Sequence, residues 1–181
     1  MSDGVITLYH GSIYKFDAID VTRGKPNKDF GRGFYTSRTE RHAVGIATRN
    51  RAIALERARQ AGRSRSVDAW VYSYAFDLRE LKNLNVKEFT DAGREWAMFV
   101  AENRKNRGTR HGYDVVIGNT ANDDTNTTVE LFVMGAYGDV NSDEAIDTFL
   151  RLILPERLPP QMYFGTQKAA ALLTPTGRRK I

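Results

Sequence analysis

The chain has 181 residues, 41% of them hydrophobic and 27% charged, with 15 glycines and 5 prolines. That suits a single domain over 1–181 and excludes a disordered tail, a collagenous chain or a low-complexity repeat. No run approaches the ~18 apolar residues of a spanning helix, the opening MSDGVITLYH lacks the basic start and apolar stretch of a signal peptide, and there is no cysteine. The expectation is therefore a cytoplasmic protein with no membrane partner, no disulfide and no thiolate chemistry.

Taken in chain order, Val5 to His10 is rich in β-branched and aromatic residues and stops at Gly11-Ser12, which predicts a first strand. Lys15 to Asp29, with Gly24 and Pro26, reads as a polar connection, and Gly31 to Ser37 as a glycine-led short strand. Arg38 to Gln60 is the best helix candidate, ended by the basic turn Ala61–Ser66. Asp68 to Phe76 predicts a central aromatic strand, Leu84 to Phe89 a shorter one, and Glu95 to Asn106 a helix with Trp96, Phe99 and Val100 on one side. Trp96 and Phe99 read as core. Asp114 to Gly118 reads as a buried strand and the polar Asn119 to Thr128 as a loop. Ser142, followed by Asp143 and Glu144, caps a helix to about Leu154 that Pro155, Pro159 and Pro160 stop. Gln161 to Thr166 is a last strand, followed by a short alanine-rich helix and a basic tail. Short strands without regular βαβ alternation predict an α+β fold with a mainly antiparallel sheet.

The excess of 27 Lys and Arg over 22 acids gives +5, with a pI near 9.5. The arginines cluster at Arg49, Arg51, Arg57, Arg59, Arg63 and Arg65, then at Arg104, Arg107 and Arg110 with Lys105. This fits nucleic acid or another polyanion, and equally a solvated helix face with basic loops. His10, His42 and His111 are far apart and no HExxH occurs, so no metal site is expected. There is no GxxxxGK[ST] phosphate cradle and no GxSxG elbow, although a dispersed Ser–His–Asp triad stays open. What remains is His10 at a strand end, the glycine-flanked Phe34-Tyr35, and Gln161 opening the last strand.

Leu8-Tyr9-His10-Gly11-Ser12, then Phe30-Gly31-Arg32-Gly33-Phe34-Tyr35-Thr36-Ser37, resembles the first two motifs of the ADP-ribosyltransferase superfamily. The resemblance is to its poly(ADP-ribose)-polymerase-like, diphtheria-toxin-like branch, whose triad is His–Tyr–Glu. Gln161-Met162-Tyr163-Phe164-Gly165-Thr166 resembles the third segment, with glutamine in place of glutamate. Over nearly its whole length the chain also resembles a group of small bacterial proteins related to that superfamily, through Asp29-Phe30-Gly31-x-Gly33-Phe34-Tyr35, Ala121-Asn122-Asp123-Asp124 and Gln161. The resemblance implies a split, mainly antiparallel sheet with flanking helices, NAD as co-substrate, and His10, Tyr35 and Gln161 as catalytic residues. His10 would hold the adenosine-side ribose, the Gly11 backbone the nicotinamide amide, and Ser12 a further contact. Tyr35, flanked by Phe34 and Thr36, would stack on the nicotinamide, and Arg23 would meet the pyrophosphate. Gln161 could bond a ribose hydroxyl but brings no negative charge, a loss of about 3 kcal/mol in transition-state stabilisation. Glu95, Glu130, Asp123 or Asp124 could replace that charge if the fold brings one of them in.

The implied activity is mono-ADP-ribosyl transfer to a macromolecular acceptor, nucleic acid favoured slightly over protein, by a bacterial or phage toxin-type effector that a neutralising partner protein could accompany. A silent NAD- or ADP-ribose-binding module, or a basic nucleic-acid-binding protein, is the alternative. Ala121–Asp124 is either an Asx-rich turn or an acceptor-binding loop.

Overall fold

The computed structural model describes residues 4–105, 111–121, 125–153 and 159–181. Arg107, Arg110, Asn106, Asn122, Asp123, Asp124, Leu154 and Pro155, all named above, lie outside the described residues. Among the described residues no helix is long and apolar enough to cross a membrane.

The fold is α+β. Strands β1 (Val5–Ser12), β2 (Phe34–Ser37), β3 (Trp70–Asp77), β4 (Val86–Glu88), β5 (Val115–Gly118), β6 (Gln161–Phe164) and β7 (Thr174–Lys180) form one sheet in the order β4-β5-β6-β2-β1-β3-β7. Every pair is antiparallel except β4 with β5. The helices are α1 (Glu40–Gln60), α2 (Arg94–Lys105), α3 (Thr125–Val133), α4 (Asp143–Ile153) and α5 (Gln167–Ala170), with 3-10 turns at Val21–Arg23 and Leu78–Asn83.

Three features differ from expectation. Asn119–Thr128 is not a loop throughout, because α3 begins at Thr125. Its threonine-rich start hides a helix held by burial of Val129 and Phe132, both about 2% exposed. The basic tail is strand β7, whose seven residues are all exposed and which stands on backbone pairing to β3. And β4-α2-β5 is a parallel crossover, a βαβ unit within a sheet that is otherwise antiparallel.

Strand alternation divides the core in two. One face carries Tyr35, Val116 and Tyr163 and packs with Phe30, Trp96, Phe132 and Phe149 from the loop and α2–α4. The other carries Leu8, Phe34, Tyr72, Met162 and Phe164 and is covered by Val21, Leu78, Leu81 and α5. Strand β5 is apolar throughout because Val115 feeds one cluster and Val116 the other. Ser142 caps α4 as expected, its Oγ accepting from Ala145 N at 3.2 Å.

Helix α1 lies on the face of Gly11. A Cβ there would stand 2.0 Å from the Ala43 carbonyl oxygen, so the missing side chain sets the helix-to-sheet distance. Gly11→Ala is expected to lower stability by about 2–3 kcal/mol through forced overpacking. Gly45→Ala, at an exposed helical site with nothing within 4 Å, should raise it by about 0.5–1 kcal/mol. Urea unfolding of the two variants checks both signs.

Candidate functional site

Strands β1 and β2 share one registered pair, Tyr9 with Ser37, whereas β1 and β3 run in register over eight. Beyond Tyr9 the β1 segment His10-Gly11-Ser12 and the β2 segment Phe34-Tyr35 are the two walls of this parting. His10 bridges it: Nδ1 lies 2.7 Å from the Tyr35 carbonyl oxygen. A carbonyl only accepts, so Nδ1 carries the proton and Nε2 presents a lone pair. Nε2 makes no hydrogen bond among the described residues. The ring stacks on Phe34 at 4.3 Å and meets Phe16 edge-on at 5.8 Å. Burial among these rings lowers the imidazole pKa to about 4, against an opposing pull from the Tyr35 carbonyl, so His10 is neutral at pH 7.

Tyr35 points the other way. Its hydroxyl donates to Gly31 O at 2.6 Å and accepts from Phe30 N at 3.0 Å, and its ring lies beside Tyr163 at 5.1 Å. Burial first, then the Asp29 charge, pushes its pKa well up, so it remains a phenol. The glycines that precede it serve this packing. Gly31 has φ of 79°, and a Cβ on Gly33 would meet the Tyr163 ring at 2.2 Å. His10 and Tyr35 are thus linked through the Tyr35 backbone while their side chains occupy opposite faces of the sheet.

Gln161 shares the Tyr35 face, opposite Ser37 and Gly118. Its Nε2 donates to Asp29 Oδ2 at 2.7 Å and to Asn119 O at 3.3 Å. Asp29 Oδ2 also accepts from Ala121 N at 3.0 Å, while Oδ1 accepts from Arg104 Nε at 2.9 Å and from Arg104 Nη2. All three side chains are more than nine-tenths buried. The carboxylate beside Gln161 is therefore Asp29. Of the acids considered from sequence, Glu95 is exposed and paired with Lys87, and Glu130 is exposed on α3. Asp29 stood inside the Asp-Phe-Gly motif, but its pairing with Arg104, 75 residues away, leaves no local trace.

The remaining expected residues are dispersed. Ser12 Oγ accepts from Tyr14 N at 3.0 Å, closing a turn. Thr36 is buried, its hydroxyl donating to Met162 O at 2.9 Å. Gly11 is close-packed on α1, as above, and Arg23 lies exposed on the 3-10 turn that Asp20 caps. His111 bonds the Phe30 carbonyl at 3.0 Å and accepts from Tyr113 N at 3.1 Å, a role in the core. No cluster of three or more metal-ligating side chains occurs among the described residues.

Two outcomes follow from this geometry. Gln161→Glu would set a second carboxylate against Asp29 and destabilise the fold by about 3 kcal/mol, the scale of an uncompensated buried charge. The penalty should shrink as pH falls, because a raised carboxyl pKa favours the protonated folded state at low pH. The Asp29→Asn, Gln161→Glu double variant should recover most of the loss in a denaturation cycle. Separately, the folded pKa of His10 lies near 4 against an ordinary 6.5, so its contribution to stability is present above pH 6.5 and is lost as pH falls through 4. His10→Gln should flatten the stability profile in that window, measured by thermal unfolding at stepped pH.

No curated protein and no solved structure matches the chain. A family model matches residues 6–174, which include His10, Asp29, Tyr35, Arg104 and Gln161, and the chain therefore belongs to the family described as Protein of unknown function (DUF3990).

Proposed function

We propose that the chain is a mono-ADP-ribosyltransferase that seats NAD where β1 and β2 part. The observation that carries this reading is His10: a neutral imidazole whose Nδ1–H is spent on the Tyr35 carbonyl and whose Nε2 is left as an acceptor. Such a nitrogen suits a ribose hydroxyl, which donates. The His-Gly-Ser and Gly-x-Gly-Phe-Tyr segments that form the two walls are the ones that resemble the superfamily. In the reaction the bond between the ribose C1′ and the nicotinamide nitrogen breaks, and nicotinamide leaves with the bonding electrons. The acceptor's nucleophile then bonds to C1′ and loses its proton. Gln161, on β6, contributes through its bond to the Asp29 carboxylate. The phenol of Tyr35, bonded to Gly31 and Phe30 and packed beside Tyr163, faces away from His10, so this reading does not assign it the stacking role.

The Asp29–Arg104 pair also supports a second reading, a silent module that binds NAD or ADP-ribose. Arg104 already neutralises the carboxylate, and the amide nitrogen of Gln161 is engaged. The two readings separate on one experiment. Incubation with labelled NAD and either a lysate or nucleic acid should give label transfer. His10→Ala should lower that transfer at least a hundredfold, whereas Arg79→Ala, an exposed residue paired with Asp77, should leave it unchanged. NAD binding by calorimetry with neither transfer nor nicotinamide release would select the silent module.

A further inference from the structure

A groove of about 350 Å³, with Arg104 in its lining, opens between the loop before β2 and helices α2 and α3. Its walls differ in chemistry. Asn27, Arg104 and Lys105 form one side, and Val129, Val133 and the four-fifths-exposed Met134 form the other, with Glu130 at the lip. Lys28 adjoins Asn27 and stands close enough to Lys25, Arg49 and Arg104 for all three to depress its ammonium pKa, although burial is the larger cause and Asp29 opposes it. Lys25, Lys28 and Lys105 make no ion pair among the described residues. The Asp29 carboxylate cannot serve Lys28 as a hydrogen-bond partner without giving up Arg104, Ala121 or Gln161, which occupy both its oxygens.

Like charges gathered beside an apolar wall are costly unless an anion joins them. The groove volume falls at the lower end of the range that takes a small molecule, about the size of one nucleotide. We infer that this groove binds one nucleotide of a single-stranded nucleic acid, its phosphates beside Lys105 and the Lys25–Lys28 segment that contributes Asn27 to the wall, and its base against Val133 and Met134. A duplex presents no unstacked base to such a wall, whereas a single strand does. Glu130 repels phosphate and so orders the strand, facing base edges that donate from an exocyclic amine. The inference rests on the transferase reading for the groove's role, which is to hold the acceptor one ion pair away from Gln161.

The test is fluorescence anisotropy of labelled 12-nucleotide DNA and RNA strands, titrated with the full chain at several salt concentrations. The wild type should bind, and Lys28→Gln with Lys105→Gln should weaken binding about tenfold. The double change should also reduce the log–log salt slope by about 1.4, from two phosphate contacts on a single strand. Met134→Glu, on an exposed side chain whose replacement leaves the core intact, should weaken binding without altering the unfolding midpoint. NAD affinity should be unchanged in both variants. Unaltered strand affinity and slope in the lysine variant would overturn the groove, as would a parallel loss of NAD affinity, which would assign the lysines to the dinucleotide. Strand binding that responds to the variants, with no label transferred from NAD, supports the groove and counts against the transferase alone. Transfer to strands that ignores the variants does the reverse.

Discussion

One buried carboxylate organises the half of the molecule that holds Gln161. Asp29 satisfies four donors from three separated parts of the chain: the guanidinium of α2, the backbone before α3, and the side chain that opens β6. An ion taken out of water recovers its solvation only when its lone pairs are filled with good geometry, and here both oxygens are fully used. The arrangement explains why an amide occupies position 161. A carboxamide donates to Asp29 where a carboxylate would repel it, so the amide at position 161 is complementary to its neighbour.

Much of the architecture was legible because it is written in local pattern. Aromatic and β-branched runs mark β1, β3 and β5, and Ser142 before two acids marks the start of α4. The parts that escaped are those whose stability comes from elsewhere. Strand β7 has no buried side chain to produce a period of two, because main-chain bonds to β3 support it. Helix α3 opens on residues of poor helical propensity and is held by the burial of Val129 and Phe132. The parallel β4–β5 pair is invisible in a strand of three residues.

The candidate site divides along the same line. His10, Gly11 and the Gly31–Tyr35 segment stand out in the sequence, and the structure joins His10 to Tyr35 through a main-chain oxygen rather than through the phenol. The glycines have packing duties that motif reasoning assigns to a ligand: Gly11 admits helix α1, and Gly33 admits the ring of Tyr163. Asp29 and Arg104 could be named from the sequence but not paired, since ionic partners across a fold obey no spacing rule. A motif thus marks where backbones come close, and whether a ligand or a side chain fills the space is decided by tertiary contacts.

The two rims of the sheet share a consequence. At one end β4 is three residues long and carries Lys87; at the other β7 bears Pro175, Arg178 and Lys180. Short length at one rim and an imino acid at the other each oppose the docking of a foreign strand. Hydrogen bonding across the sheet therefore terminates within the polypeptide at both margins, and the seven strands are guarded against templating amyloid-like growth even where every side chain of the last one lies open to water.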